Sequence, residues 1–350
     1  MPQFYLKQWS SNGNDICCYD TLVPNEGVRP WRRSHIKSTA CWPDLYTQER
    51  RGVDDDTIER FFGRDLESNA RRVFGKIDGG RSLDPADMDV LIDYVAAQMV
   101  RTPAWFRFAN DLTGDIFVPI AERMFQQMRS YAEEGTLKEK VQEGHAIARR
   151  GPFPGTPIKV AVHEETSEIS VETSLGRQTA LASSGIALNG AVTETLHTHN
   201  WALLQAPLAL PTSDNPVVRF GQYKDGSLRY DVGIGRANTD IIFPLNPQCL
   251  LFTEVGRGRE DMARIASNDG FWDTILKAIT EGARRYIYAL KPIDDIESIR
   301  PRVVDAKRHR EEYEFMKRWH ADQSSIELDY EPELPPGSGL EGNRMGGSET

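Results

Sequence analysis

Thr212-Ser213-Asp214-Asn215-Pro216 is the stretch around which the rest of the chain is read. It interrupts two apolar runs, residues 201–206 before it and residues 217–220 after it, that read as buried strands. Residues 241–247 then lead into Cys249-Leu250-Leu251-Phe252, another buried-strand signal. An Asp-Asn-Pro corner between core strands is the most concentrated polar chemistry in the chain. Its structural reading is a turn, because Asx side chains bond to nearby backbone and a residue before proline is pushed out of the helical region. Its functional reading puts Asp214 and Asn215 at the strand ends, facing a pocket, since loops held by a rigid scaffold often carry sites.

The 350 residues are enough to bury a sizeable core, and 39% apolar with 27% charged residues is an ordinary globular composition. No apolar run approaches the roughly 18–20 residues that span a bilayer, and no cationic segment followed by a long apolar one opens the chain. The sequence therefore reads as cytoplasmic, with no membrane partner. Cys17, Cys18, Cys41 and Cys249 have no paired-thiol metal spacing, and adjacent cysteines bridge poorly, so all four are read as reduced, buried thiols. Of the net charge of −10, −6 lies beyond residue 320, where seven acids meet one base, leaving −4 on the body. A mildly acidic body argues against broad affinity for polyanions while leaving room for a small basic groove.

In chain order, residues 3–9 and 15–19 read as two short strands joined by a Ser-Asn-Gly-Asn turn. Residues 29–45 read as irregular, with Arg29, Arg32, Arg33 and Lys37 interleaved with Trp31 and Trp42. That cluster is either a phosphate or nucleotide contact or a surface loop whose tryptophans cover a neighbouring helix. Asp54-Asp55-Asp56 opens a helix with the apolar stripe Ile58, Phe62, Leu66, Val73 and Ile77, ended by Gly79-Gly80. At 100° per residue Glu59 falls inside that stripe and Glu67 at its flank. Asp84-Pro85 caps the next helix, where Gln98 borders the core face and Arg101 lies on the same ridge before Thr102-Pro103 breaks it. A third helix spans residues 116–134. Residues 152–157, rich in proline, form an internal boundary. Beyond it come a hairpin (158–162 and 168–172), a helix at 186–197, the core strands, a helix from Asn268 or Asp269 to Gly282, a strand at 285–290 and a charged helix at 304–320. The acidic tail 322–350, rich in Pro, Gly and Ser, reads as disordered.

Gly233-Ile234-Gly235 lacks the third glycine and following helix of a phosphate loop, and Ser183-Ser184-Gly185 lacks the first glycine of a nucleophile elbow. His197-Thr198-His199 is a weak metal signal with no third ligand at useful spacing. Glu59, Glu67, Gln98 and Arg101 are either an ion-paired staple between packed helices or, with Asp214, groups that hold a divalent ion or a phosphate.

The chain resembles the bacterial family catalogued as domain of unknown function 4238. The resemblance rests on Pro2-Gln3-Phe4-Tyr5-Leu6, the run 38–47, Ile58-Glu59 with Leu66-Glu67, and 97–103. In the second half it rests on Trp201, 212–216, 243–247 and Asn268 ahead of 286–289, all in the family's order over about 290 residues. It implies a shared domain and brings no activity with it. Members of that family commonly begin with a His-Tyr-Val or similar run, whereas here Met1 directly precedes Pro2: either the start is misplaced or this member lacks that histidine, and a function that used it would then be impaired.

The expectation is one α+β domain over residues 1–321: a helical middle (about 54–150) packed on a mainly antiparallel sheet (about 158–290) that the N-terminal strands join. Two functions from different classes fit. One is a hydrolase acting on a phosphate-containing substrate, with nucleic acid or a nucleotide as a candidate. It would use Asp214, Glu67 and Glu59 as general base or as ligands of a divalent metal cofactor, and Arg101, Gln98, Asn215 and Tyr5 to bind substrate. The other is a non-catalytic binding or regulatory protein in which the same groups are internal staples.

Overall fold

A computed structural model describes residues 1–42, 44–50, 53–136, 139–140, 158–163 and 168–329. The chain opens with α1 (Gln3–Leu6), which tightens into a 3-10 turn, Lys7–Trp9, and is followed by β1 (Asp15–Asp20), β2 (Leu22–Val23), β3 (Trp31–His35), β4 (Gln48–Arg50) and β5 (Val53–Asp55). Helices α2 (Thr57–Phe61), α3 (Ser68–Asp78), α4 (Pro85–Val100) and α5 (Pro103–Glu133) come next, with a π-helical turn, Phe62–Glu67, joining α2 to α3. After the hairpin β6 (Ile158–His163) and β7 (Glu168–Thr173) come α6 (Arg177–Leu188) and α7 (Ala191–His197). Strands β8 (Ala202–Gln205), β9 (Thr212–Ser213), β10 (Val218–Gln222), β11 (Leu228–Arg229), β12 (Asp240–Asn246) and β13 (Cys249–Glu254) precede α8 (Arg259–Ile265) and α9 (Phe271–Gly282). The described chain ends with β14 (Tyr286–Ala289), α10 (Asp295–Ile299), β15 (Val303–Val304) and α11 (Ala306–Asp329).

The fold is α+β, with helices packed against antiparallel sheets. Among the described residues, beside three two-stranded pairs, β15-β2, β4-β5 and β6-β7, the expected single sheet resolves into two larger ones. One has the order β11-β10-β12-β13-β8 and the other β3-β1-β14-β9. The first is apolar on both faces, which is why its strands read as unbroken hydrophobic runs. Ile241, Phe243 and Leu251 point to one cluster with α1, α3 and α4, and Ile242, Leu250 and Phe252 point to another with α8 and α9. Gly282 ends α9 where a β-carbon would come within 2.8 Å of Val218, so only glycine lets the helix lie that close to β10. The second sheet covers Tyr19 and Ile287 with α9 and α10. Its other face is partly open and carries the site.

Several expectations need correcting. Residues 3–9 are helical, because a Phe-Tyr-Leu run buried on all sides carries no period to distinguish strand from helix. Within the expected irregular stretch, β3 pairs along β1 from Trp31 to His35. The helix placed at 116–134 is the second half of α5, which begins at Pro103, and the helix placed at 186–197 is two, beginning at Arg177. The terminal helix continues through 322–329, expected as disordered tail, and buries Gln323, Ser324 and Glu327. The rest of the expected tail, 330–350, and the boundary at 152–157 lie outside the described residues. Cys41 is exposed, whereas the other three thiols are buried.

Candidate functional site

Between the loop 38–46, the π turn and one face of the four-stranded sheet lies a cavity of about 540 Å³. On the sheet side, Cys18 stands opposite Arg32 on β3 and Tyr288 on β14, so strand alternation puts all three on one face. Tyr286, two residues from Tyr288, projects to the same side, with the two rings stacked 6.4 Å apart. Arg32 has no carboxylate partner among the described residues. Tyr288 is fully buried, and its hydroxyl finds no hydrogen-bond partner among them either.

The helical side begins where Pro103 stops α4. Arg101, just past the last turn, is left facing the cavity and donates from Nη1 to Glu67 Oε1 at 2.8 Å. Its guanidinium lies 4.3 Å from the Phe62 ring and 5.6 Å from the Tyr46 ring, and the Tyr46 hydroxyl donates to its carbonyl at 2.7 Å. Glu67 closes the π turn, a rare local geometry that recurs at functional sites. That turn also breaks the 100° spacing on which the sequence wheel depended. Glu59, expected inside the apolar stripe, is exposed at the cavity mouth. Partial burial raises its carboxyl above the usual range, Asp44 adds to the rise and Arg101 opposes it. The loop itself is held under strain. Ala40 and Asp44 both adopt left-handed backbone, at φ 51° and 55°.

Asp214 lines the same cavity, but its carboxylate is occupied. Oδ1 accepts from the Arg284 N–H at 2.8 Å, and Oδ2 accepts from those of Arg285 and Tyr286 at 2.9 and 3.1 Å. Burial raises its pKa nonetheless, with the three N–H donors pulling the other way. Cys18 is pushed up to about 12 by burial and stays a thiol, which rules it out as a ready nucleophile.

Of the expected site residues, Glu59, Glu67, Arg101 and Asp214 line the one cavity. Gln98, Asn215 and Tyr5 do not. Gln98 is buried within α4 and its Nε2 finds no partner among the described residues. Asn215 donates from Nδ2 to the Gly282 carbonyl at 3.0 Å, tying the corner to the end of α9. Tyr5 shares a 2.7 Å hydrogen bond with Thr212 Oγ1, donates to the Pro244 carbonyl at 2.8 Å and stacks on Phe243. Asn215 and Tyr5 are core ties, invisible as such because each partner is remote in sequence. The metal readings fare no better. Glu67 is spent on Arg101 and Asp214 on backbone, and His197 turns to Asp93 while His199 turns to the Ile234 carbonyl. Among the described residues no three His, Cys, Asp or Glu side chains converge as a metal site. Sequence reasoning named no role for Tyr286 and Tyr288. It flagged Arg32 and Trp42 only as members of the basic–aromatic cluster, and both line the cavity.

The family model described as Protein of unknown function (DUF4238) matches residues 1–292. The chain belongs to that family. The match contains every residue of the cavity and ends before α10, so α11 lies outside it. No curated protein and no solved structure matches the chain. No described helix is long and apolar enough to cross a membrane.

Proposed function

We propose that the cavity is the active site of a hydrolase acting on a small phosphate-containing molecule. The observation that carries this reading is the meeting, in one cavity, of Arg32 without a carboxylate partner, the buried and unpartnered Tyr288 hydroxyl, and Glu59 with its raised carboxyl. A guanidinium and a phenol O–H both donate to phosphate oxygens, and Arg101 adds a second positive charge from the helical side. Trp42 and Tyr46 supply flat apolar surface for the remainder of the substrate. At about 540 Å³ the cavity accommodates something the size of a mononucleotide, not a polymer, which narrows the nucleic-acid expectation to nucleotide fragments. Ionised Glu59 takes a proton from the attacking water as its oxygen bonds to phosphorus. The leaving oxygen departs with the phosphorus–oxygen electron pair and takes up a proton from solvent or from the acid Glu59 has become.

The test pairs binding with turnover. Thermal shift with AMP, ADP and p-nitrophenyl phosphate is expected to rise for the unaltered protein and for Glu59→Gln, and to be clearly smaller for Arg32→Ser. Phosphate release is expected from the unaltered protein and to drop by at least about 10²-fold in Glu59→Gln, the usual scale for a lost acid–base group. Full release by Glu59→Gln, or no shift with any phosphate compound, overturns the proposal. One observation favours the non-catalytic alternative: Glu67 and Asp214 are already engaged by the fold. That alternative expects ligand binding without release of phosphate.

A further inference from the structure

A second concavity of about 200 Å³ is lined by Arg107, Arg284, Arg285, Arg300, Arg308 and Glu312. Five arginines in so small a space are out of keeping with a chain of net charge −10. Two of them are consumed by the fold. Arg285 grips both oxygens of Asp20 at 2.8 and 3.0 Å and reaches Glu312 at 3.0 Å. Arg300 spends its guanidinium on carbonyls at the end of α9 and on that of Arg284, and pairs with no carboxylate among the described residues. The guanidinium groups of the remaining three have no carboxylate within hydrogen-bond distance among the described residues, although that of Arg284 lies 5.7 Å from the Trp42 ring. Arg107 is exposed and has no ion pair among the described residues, while Arg284 and Arg308 each stand 3.9 Å from Glu312, too far for a good charge-assisted hydrogen bond. Only two carboxylates pair with the five arginines among the described residues, leaving an excess of three positive charges.

We infer that this cleft binds a small, multiply charged oxyanion of the phosphate and diphosphate class. Guanidinium forks match the geometry of phosphoryl oxygens. The volume lies below the range that holds drug-sized molecules, so the ligand is a free oxyanion or one terminal phosphoryl group of something larger. Its walls come from two parts of the chain. Arg107 and Arg284 belong to the family-matched region, while Arg308 and Glu312 belong to α11, beyond it. An anion bound between them fastens α11 to the rest of the molecule. Glu312 is the resident counter-charge that the anion displaces from Arg284 and Arg308.

The full-length protein titrated with inorganic phosphate, diphosphate and ADP by calorimetry, at one fixed ionic strength, tests this. Saturable binding is expected, tighter for diphosphate than for phosphate. The double variant Arg107→Ser with Arg308→Ser, both at solvent-facing positions, is expected to weaken diphosphate binding by about tenfold or more, and Glu312→Gln to strengthen it. Arg32→Ser removes the phosphate binding expected at the other cavity, and a saturable diphosphate site that the Arg107 and Arg308 substitutions weaken is expected to persist in that variant. Heat signals that sodium chloride reproduces, equal binding by the double variant, or loss of binding in Arg32→Ser alone would each overturn the inference. In the Arg32→Ser variant, a stronger response to ADP than to diphosphate assigns the cleft to a terminal phosphoryl group and not to the free anion.

Discussion

Asp214 and Glu59 are carboxyls on the same cavity, and burial raises the pKa of both, yet they belong to opposite kinds of region. Asp214 sits at a corner where β9 meets β14, and three backbone N–H groups from residues 284–286 close on it. Glu59 sits on α2 beneath a strained loop, and no hydrogen bond to its carboxyl is present among the described residues. The difference teaches that burial and a shifted titration do not distinguish an acid that holds the fold from one free to move a proton. Accounting for the donors does.

Removing Asp214 gives the largest expected effect on this comparison. Asp214→Ala leaves one buried and two partly buried N–H groups without an acceptor, and at roughly 1–3 kcal/mol for the buried one and about 1–1.5 kcal/mol for each of the others the loss is expected to be about 3–6 kcal/mol. Urea unfolding measures it, and a loss under about 1 kcal/mol would move Asp214 to the chemical side. Glu59→Gln, at an exposed position, is expected to stay within about 0.5 kcal/mol of the unaltered protein in the same experiment. Between them falls Arg101→Ala. Its guanidinium is only 13% exposed, and its removal strands Glu67 and uncovers the Phe62 ring. A cost of roughly 2–4 kcal/mol is expected, smaller than for a fully enclosed pair because the cavity admits water. An unchanged unfolding midpoint would make the pair a positioning device with no part in stability.

Much of the fold was legible because local rules and the final packing agree. Asp84-Pro85 announced α4, to which the structure adds a capping box with Asp87, and Thr102-Pro103 announced its end. The apolar runs of β12 and β13 reflect burial on two faces. The site was half legible. Glu59, Glu67, Arg101 and Asp214 were drawn together by polar residues beside apolar stripes. The role of Asp214 was not legible, since its donors lie 70 to 72 residues away and belong to the backbone, which has no sequence signature. The same holds for Arg177, fully buried and paired through two nitrogens to Glu327 at 2.7 and 2.8 Å. Composition alone assigned Glu327 to a disordered tail. A single buried ion pair outweighs that average, and nothing in the spacing of the two residues hints at it.

Asp240 sharpens the comparison from a third direction. It begins β12 directly opposite Glu254, and among the described residues its carboxyl has no hydrogen-bond donor. Burial first and then Glu254 raise its pKa, Arg257 opposes both, and it stands pushed up to about 7. A carboxyl whose folded pKa exceeds its unfolded value favours the protonated folded state. Its contribution to stability is fully present below about 4 and is lost as pH rises through about 7. The midpoint of urea unfolding is therefore expected to fall across that interval, and Asp240→Asn is expected to flatten the fall. An unaltered pH profile in Asp240→Asn would show that the Arg257–Glu254 pair beside it already absorbs the charge.

The smallest expected effect probes the strained half of the comparison. Ala40 holds φ at 51°, a conformation that costs a residue with a β-carbon about 1–2 kcal/mol. Glycine removes that cost but gives up roughly 0.5–1 kcal/mol through the greater freedom of its unfolded chain. Ala40→Gly is thus expected to be stabilising by up to about 1 kcal/mol in urea unfolding. If the strain serves to hold the loop over the cavity, the same variant is expected to bind AMP more weakly although it is more stable. Relaxation of the loop would then have exchanged preorganisation for stability, as at strained functional loops elsewhere. Tighter binding together with higher stability would mean that the left-handed turn at Ala40 is only a packing compromise, and that the cavity owes its shape to the sheet and the π turn.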